Sequence, residues 1–353
     1  MIMEDTPLQK IITERLNVIR ELQSPSGLFL AAAKDVTTGY DKAWLRDNFY
    51  TSLAFEWAGD YKTVTRVYHA ILDIFLKHED KIHVATKERP HHTWQRIHAR
   101  YHPETFEEYW EEWGNKQNDA VGAILFKIGM LEVTGHPILR SDDDKRIVQH
   151  LVNYLASIEY WKDADNGVWE EYEEVHASSV GACVAGLKSV SALPFITIPE
   201  GLILNGEKAL EELLPRESES KFCDLALLSI IFPYNLIAND MQKAITSNLL
   251  YHLAKERGII RYKTDRYYNK NEIDKWSEEA EWTMGFPWLS IIFAKQGNKE
   301  KAQEYLRKTE LVFFNGKLPE LYFSGTTTPN DNIPLAWAES LYIVALIEVS
   351  KLS

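Results

Sequence analysis

Apolar residues recur at three- and four-residue intervals along most of this chain, and the recurrence predicts helix after helix. Leu8, Ile11, Ile12, Leu16, Ile19 and Leu22 mark a first helix from about Leu8 to Leu22, broken by Ser24-Pro25-Ser26-Gly27. Tyr50, Leu53, Ala54, Trp57 and Ala58 form a second stripe, and Val64, Val67, Ile71, Ile74 and Phe75 predict a helix over Tyr61 to His78. Asp80 to Asn118 reads as one long, polar, irregular segment. A strongly apolar helix follows from Ala120 to Leu131, and Ser141-Asp142-Asp143-Asp144 reads as the capped start of the next. Further helices are expected from Ser178 to Val190, Lys208 to Leu214, Phe222 to Phe232, Asp240 to Glu256, Glu278 to Gly297, Lys299 to Lys308, and from Pro334 onward. That makes about twelve helices with sparse strand signals. With no Pro/Gly/Ser linker, residues 1–353 are expected to form one all-α domain.

Composition narrows the picture. The 353 residues are 45% hydrophobic and 26% charged, which suits a soluble globular protein with an ample core. A net charge of −13 argues against nucleic acid, whose phosphates it would repel. Charges throughout Met1 to Gln23 do not fit an export signal, and no uninterrupted apolar run reaches membrane-spanning length, so a cytoplasmic protein is expected. Cys183 and Cys223 lie in apolar stretches and read as reduced, buried thiols. With 11 Trp and 17 Tyr, the chain has many side chains suited to stacking on sugars as well as to packing a core.

Candidate chemistry concentrates between the helices. In the stretch from Asp163 to Gly181, Asp165-Asn166-Gly167 makes a turn, Val168 and Trp169 follow, and Glu170, Glu171, Glu173 and Glu174 form an acidic run. A carboxylate beside a large aromatic can be desolvated and so suited to donate a proton; the plainer reading is a solvated acidic loop. His83, His91, His92, His98 and His102 have no recognised metal-ligand spacing, so neither a metal nor another cofactor is expected. Polar and aromatic loops around Asp47, Trp113, Glu170, Arg261 and Glu320 recur between helix pairs. Gathered on one face, they would form a cleft with two separated carboxylates.

Five of these segments together resemble glycoside hydrolase family 15, the glucoamylase family. Trp44-Leu45-Arg46-Asp47-Asn48 is similar to its Trp-x-Arg-Asp motif, and Gln117-Asn118-Asp119 to its Gln-x-Asp element. Gly167-Val168-Trp169-Glu170 resembles the general-acid motif. Arg261-Tyr262 with Asp265 resembles a sugar-binding loop, and Leu318-Pro319-Glu320, ahead of Pro334-Leu335-Ala336-Trp337, the general-base segment. His176-Ala177-Ser178-Ser179-Val180-Gly181 and Leu321-Tyr322 lean toward the phosphorylase kinase α/β-subunit branch. The resemblance implies an (α/α)6 toroid. It also implies an inverting, exo-acting hydrolase of α-linked gluco-oligosaccharides, or a weakly active glucan-binding regulatory domain. Glu170 would be the acid and Glu320 the base, with carboxyls roughly 6.5–9.5 Å apart. Arg46, Asp47 and Arg261 would hold sugar hydroxyls, and Trp44, Trp113 and Trp169 would shape the pocket. Gln117, Asp119, Glu171 and Trp337 complete the expected substrate contacts, with Glu171 the fallback acid.

Overall fold

Burial separates two kinds of helix in this protein. The computed structural model describes residues 6–33, 36, 38–109, 111, 113–269 and 278–352. Among these, thirteen α-helices follow in order: α1 Pro7–Arg20, α2 Leu45–Trp57, α3 Tyr61–Lys77, α4 Glu79–Lys87, α5 Asn118–Val133, α6 Asp142–Ile158, α7 Ala177–Val190, α8 Leu202–Leu213, α9 Leu228–Ile231, α10 Asn239–His252, α11 Gly285–Lys295, α12 Lys299–Leu311 and α13 Ala336–Ser350. Helices α2, α5, α7, α9, α11 and α13 are buried over most of their surface. Each packs on the next, and α13 closes back on α2. They form the inner ring, where a helix apolar all round belongs. The others are one-sided: α3 buries Val64, Val67, Ile71, Ile74 and Phe75 and leaves its opposite face to solvent. They pack outside the ring, α8 on α7, α12 on α11, α1 on α13, with α4 against α6. This is the (α/α)6 toroid.

Outer and inner helices begin differently. Thr6, Asp60, Ser141 and Asn298 cap α1, α3, α6 and α12 with their side chains. No side chain at the N-cap position caps an inner helix. Their first N–H groups are instead taken up by neighbouring loops: Leu45 N by Ala99 O, Asn118 N by an Asp165 carboxylate oxygen, Ala177 N by Glu217 O, and Ala336 N by Ala31 O. Satisfying those donors ties the loops to one end of the ring, and the candidate site lies there.

Several sequence expectations change. Glu79–Lys87 is helical where an irregular loop was expected; only Ile82 and Ala85 are buried, too thin a stripe to read. The helix expected from Glu278 starts at Gly285, because Glu281–Trp282 (β3) pairs antiparallel with Leu321–Tyr322 (β4). Ala43–Trp44 (β1) pairs likewise with Arg100–Tyr101 (β2). The helix expected over Phe222 to Phe232 is a 3-10 turn, Leu225–Leu227, followed by the short α9. Helix α8 begins at Leu202, ahead of Lys208. Trp110 and Glu112 of the aromatic-acidic run, and residues 270–277 of the loop after Arg261, lie outside the described residues. Cys183 and Cys223 are free and buried.

Candidate active site

The ring ends in a pocket lined by the first turn of α2 and by the loops that precede α2, α5, α7, α11 and α13. Trp44, Arg46, Asp47, Trp113, Trp169, Glu170, Arg261, Glu320 and Trp337 line it, joined by Tyr40, Tyr267 and Trp282. A wider cleft of about 1130 Å³ adjoins it, lined by Glu171, Lys221, Phe222 and Tyr262 among others. Trp113, Glu170 and Tyr267 line both.

Glu170 is fixed from several sides. Arg46 Nη2 lies 3.0 Å and Gln117 Nε2 2.9 Å from its Oε1, and Trp113 Nε1 donates to Oε2. Its backbone is left-handed, with φ of 61°, a region non-glycine residues rarely occupy. Arg46 is held in turn by Gln117 Oε1 at 2.7 Å and by Asp119 Oδ2 at 3.2 Å. Gln117 and Asp119 therefore sit behind Arg46 and do not line the pocket. Glu171 lies in the outer cleft and is fully engaged: Arg261 donates to Oε1 at 2.7 Å, Tyr262 to Oε2 at 2.5 Å, and Lys221 approaches at 3.3 Å. Arg261 is also paired with Asp265 through two N–H groups, at 2.6 and 2.7 Å, and lies against Trp169, Tyr267 and Trp282.

Glu320 is only 1% exposed, so its charge depends on protein donors. Tyr40 donates to Oε1 at 2.8 Å; Asn330 and Asn332 donate to Oε2 at 2.5 and 2.7 Å. Burial raises its pKa above the ordinary carboxylate range, against the opposing pull of these donors and of Arg261. Asp47 is pushed up to about 7 by burial, opposed by Arg46 and reinforced by Glu170 and Glu320. No other described side chain hydrogen-bonds to its carboxyl. Among the described residues the buried indole N–H groups of Trp282 and Trp337 also have no hydrogen-bond partner, though both residues line the pocket. Trp337 is stacked on Tyr50 at 4.1 Å. The pocket thus offers aromatic faces beside the Asp47 carboxyl, a combination that suits a polyhydroxylated ring.

Tyr40, Tyr267, Asn330 and Asn332 went unnoticed in the sequence. None sits in a recognisable motif, and only the closure of the ring brings Tyr40 to Glu320. Among the described residues no cluster of His, Cys, Asp and Glu could hold a metal ion, and no helix is long and apolar enough to cross a membrane.

Comparison with known proteins agrees with this architecture. Phosphorylase b kinase regulatory subunit alpha, skeletal muscle isoform, of Oryctolagus cuniculus is 28% identical over 86% of this chain; the liver isoform of Mus musculus is 26% identical over 92%. The chain spans only about a third of the length of these relatives. Among solved structures, a glycosidase superposes with a TM-score of 0.81 at 19% identity, covering 97% of both chains, and a variant of it is known in complex with glucose. The glucoamylase of Saccharomycopsis fibuligera gives a TM-score of 0.70 at 12% identity, covering 98% of this chain and 96% of its own. The family model for glycosyl hydrolases family 15 matches residues 9–196, a span that contains Arg46, Asp119 and Glu170. It covers more than half of the chain, and the chain belongs to glycosyl hydrolases family 15.

Proposed function

We propose that the protein is an inverting, exo-acting hydrolase that releases glucose from α-linked gluco-oligosaccharides. The observation that carries this reading is the placement of the two carboxylates. Glu170 lines both the inner pocket and the outer cleft, whereas Glu320 lines the inner pocket alone. A terminal glucose in the pocket, with the rest of its chain in the cleft, would set the glycosidic oxygen beside Glu170. Glu170 then protonates that oxygen as the bond breaks, and Glu320, ionised, takes a proton from the water attacking the opposite face of the sugar. Asp47 and Arg46 bind sugar hydroxyls. Trp44, Trp113 and Trp169 shape the walls. Arg261 lines the pocket that would hold the terminal sugar, its partner Glu171 borders the next, and Gln117 and Asp119 act through Arg46. The closed ring supports reading the chain as one domain.

Glucose release from maltotriose, isomaltotriose and trehalose tests the proposal. At least one should be cleaved, and Glu170→Gln and Glu320→Gln should each lower kcat by about 10²–10⁴, the usual contribution of a general acid or base. A second reading, a glucan-binding regulatory domain with little turnover, is favoured by the similarity to kinase regulatory subunits. It predicts saturable oligosaccharide binding without glucose release.

A further inference from the structure

Two amide side chains face one oxygen of Glu320. Asn330 and Asn332 lie on the strap that returns past Glu320; Glu320 N donates to Asn332 O at 3.0 Å, and Asn330 N to Leu321 O at 3.2 Å. Both asparagines are essentially buried, at 2% and 0% exposure. Both aim an N–H at the same oxygen, Oε2. Thr38 donates to Asn332 Oδ1 at 2.5 Å and so turns that amide's N–H toward the carboxylate. An amide N–H cannot accept, so a proton on Oε2 would face two donors, of which Asn332 is held in that orientation by Thr38. A proton on Oε1 would require Tyr40 to reverse its O–H toward Tyr267, 3.0 Å away.

We propose that Asn330 and Asn332 are a positioning pair that holds Glu320 ionised and occupies Oε2, leaving Oε1, beside Tyr40, to receive the proton of the attacking water. The inference rests on the hydrolytic reading for its water, but not for its account of the carboxylate. The other titratable groups acting on Glu320 are Tyr40, Tyr267, Tyr268, Arg261 and Asp47. All are retained when an asparagine is replaced.

The test is the pH profile of kcat/KM for Asn330→Ala, Asn332→Ala and the milder Asn332→Ser. Each lost donor should move the acid limb upward by about one pH unit, roughly tenfold in proton affinity, with activity recovering toward neutral pH. An unmoved limb, with kcat reduced equally at every pH, would overturn the proposal and leave a purely structural role. ¹³C NMR titration of glutamate-labelled protein, with the Glu320 signal identified by its loss in Glu320→Gln, reads the same group without turnover. The midpoint should rise in Asn330→Ala, and an unchanged midpoint would again overturn the proposal. If no oligosaccharide is hydrolysed and the midpoint still rises, the hydrolytic reading fails and the positioning pair stands.

Discussion

Glu170 depends on a backbone that its own side chain disfavours. Its left-handed conformation costs on the order of 1–3 kcal/mol and persists only where the surroundings dictate it. Gly114 is one such surrounding: a methyl group there would overlap the Glu170 carbonyl. Gly114→Ala should displace the acid loop, lowering kcat at least tenfold and stability by about 1–3 kcal/mol, as activity assays and urea denaturation would report. Unchanged kinetics would show that the loop has slack the geometry denies. At this scale the sequence displays residues that sit in motifs, such as Arg46, Asp47, Glu170 and Arg261. It conceals those that act singly from distant loops. Tyr40 reaches Glu320 across 280 positions, and no local pattern marks it. Glu171 was legible as a site residue, but its commitment to Arg261 and Tyr262 was not, because those partners lie some ninety positions away.

The inner helices set how closely the site-bearing loops can approach. Helices α5 and α7 touch backbone to backbone, since a side chain at Gly122 would strike Ala182 and Cys183, and one at Gly186 would strike Gly122. Gly122→Ala should cost about 1–3 kcal/mol through overpacking, despite the better intrinsic helix propensity of alanine. A urea midpoint equal to or above that of the parent would contradict this account of the contact. Long apolar or amphipathic helices such as α3, α5 and α13 were legible because their burial pattern repeats along the element. Helices α4 and α9 were not: α4 buries too few side chains to leave a pattern, and α9 is only four residues long. The β3–β4 pairing depends on a partner about forty positions away and ended the expected helix early.

At the scale of the whole molecule, buried ionisable groups set the pH response. Burial pushes Asp47, Asp165 and Glu339 up to about 7 and raises Asp224 in the same direction. Each binds a proton more tightly folded than unfolded, so its stabilisation is complete below the unfolded value near 4 and is lost as pH rises through about 7. His176, against the opposing effect of burial, is held up to about 9 by Glu217 and Asp165, and its contribution is lost between about 6.5 and 9. His98 and His150 work the other way: burial depresses both, His98 to about 4, and stability is lost as pH falls below 6.5. The raised groups outnumber them, so the urea midpoint should be higher at pH 5 than at pH 8. The reverse order would show that these carboxyls are ionised in the folded protein.

The proposed function rests on one claim, that Glu170 and Glu320 hydrolyse an α-glucosidic bond with inversion. An NMR time course with maltotriose, isomaltotriose and trehalose tests this most directly, with the parent protein run beside Glu170→Gln and Glu320→Gln. The account predicts early β-glucose from at least one substrate, abolished or strongly slowed in both variants. Early α-glucose, or ligand-induced shifts with no glucose from any of the three, would contradict it.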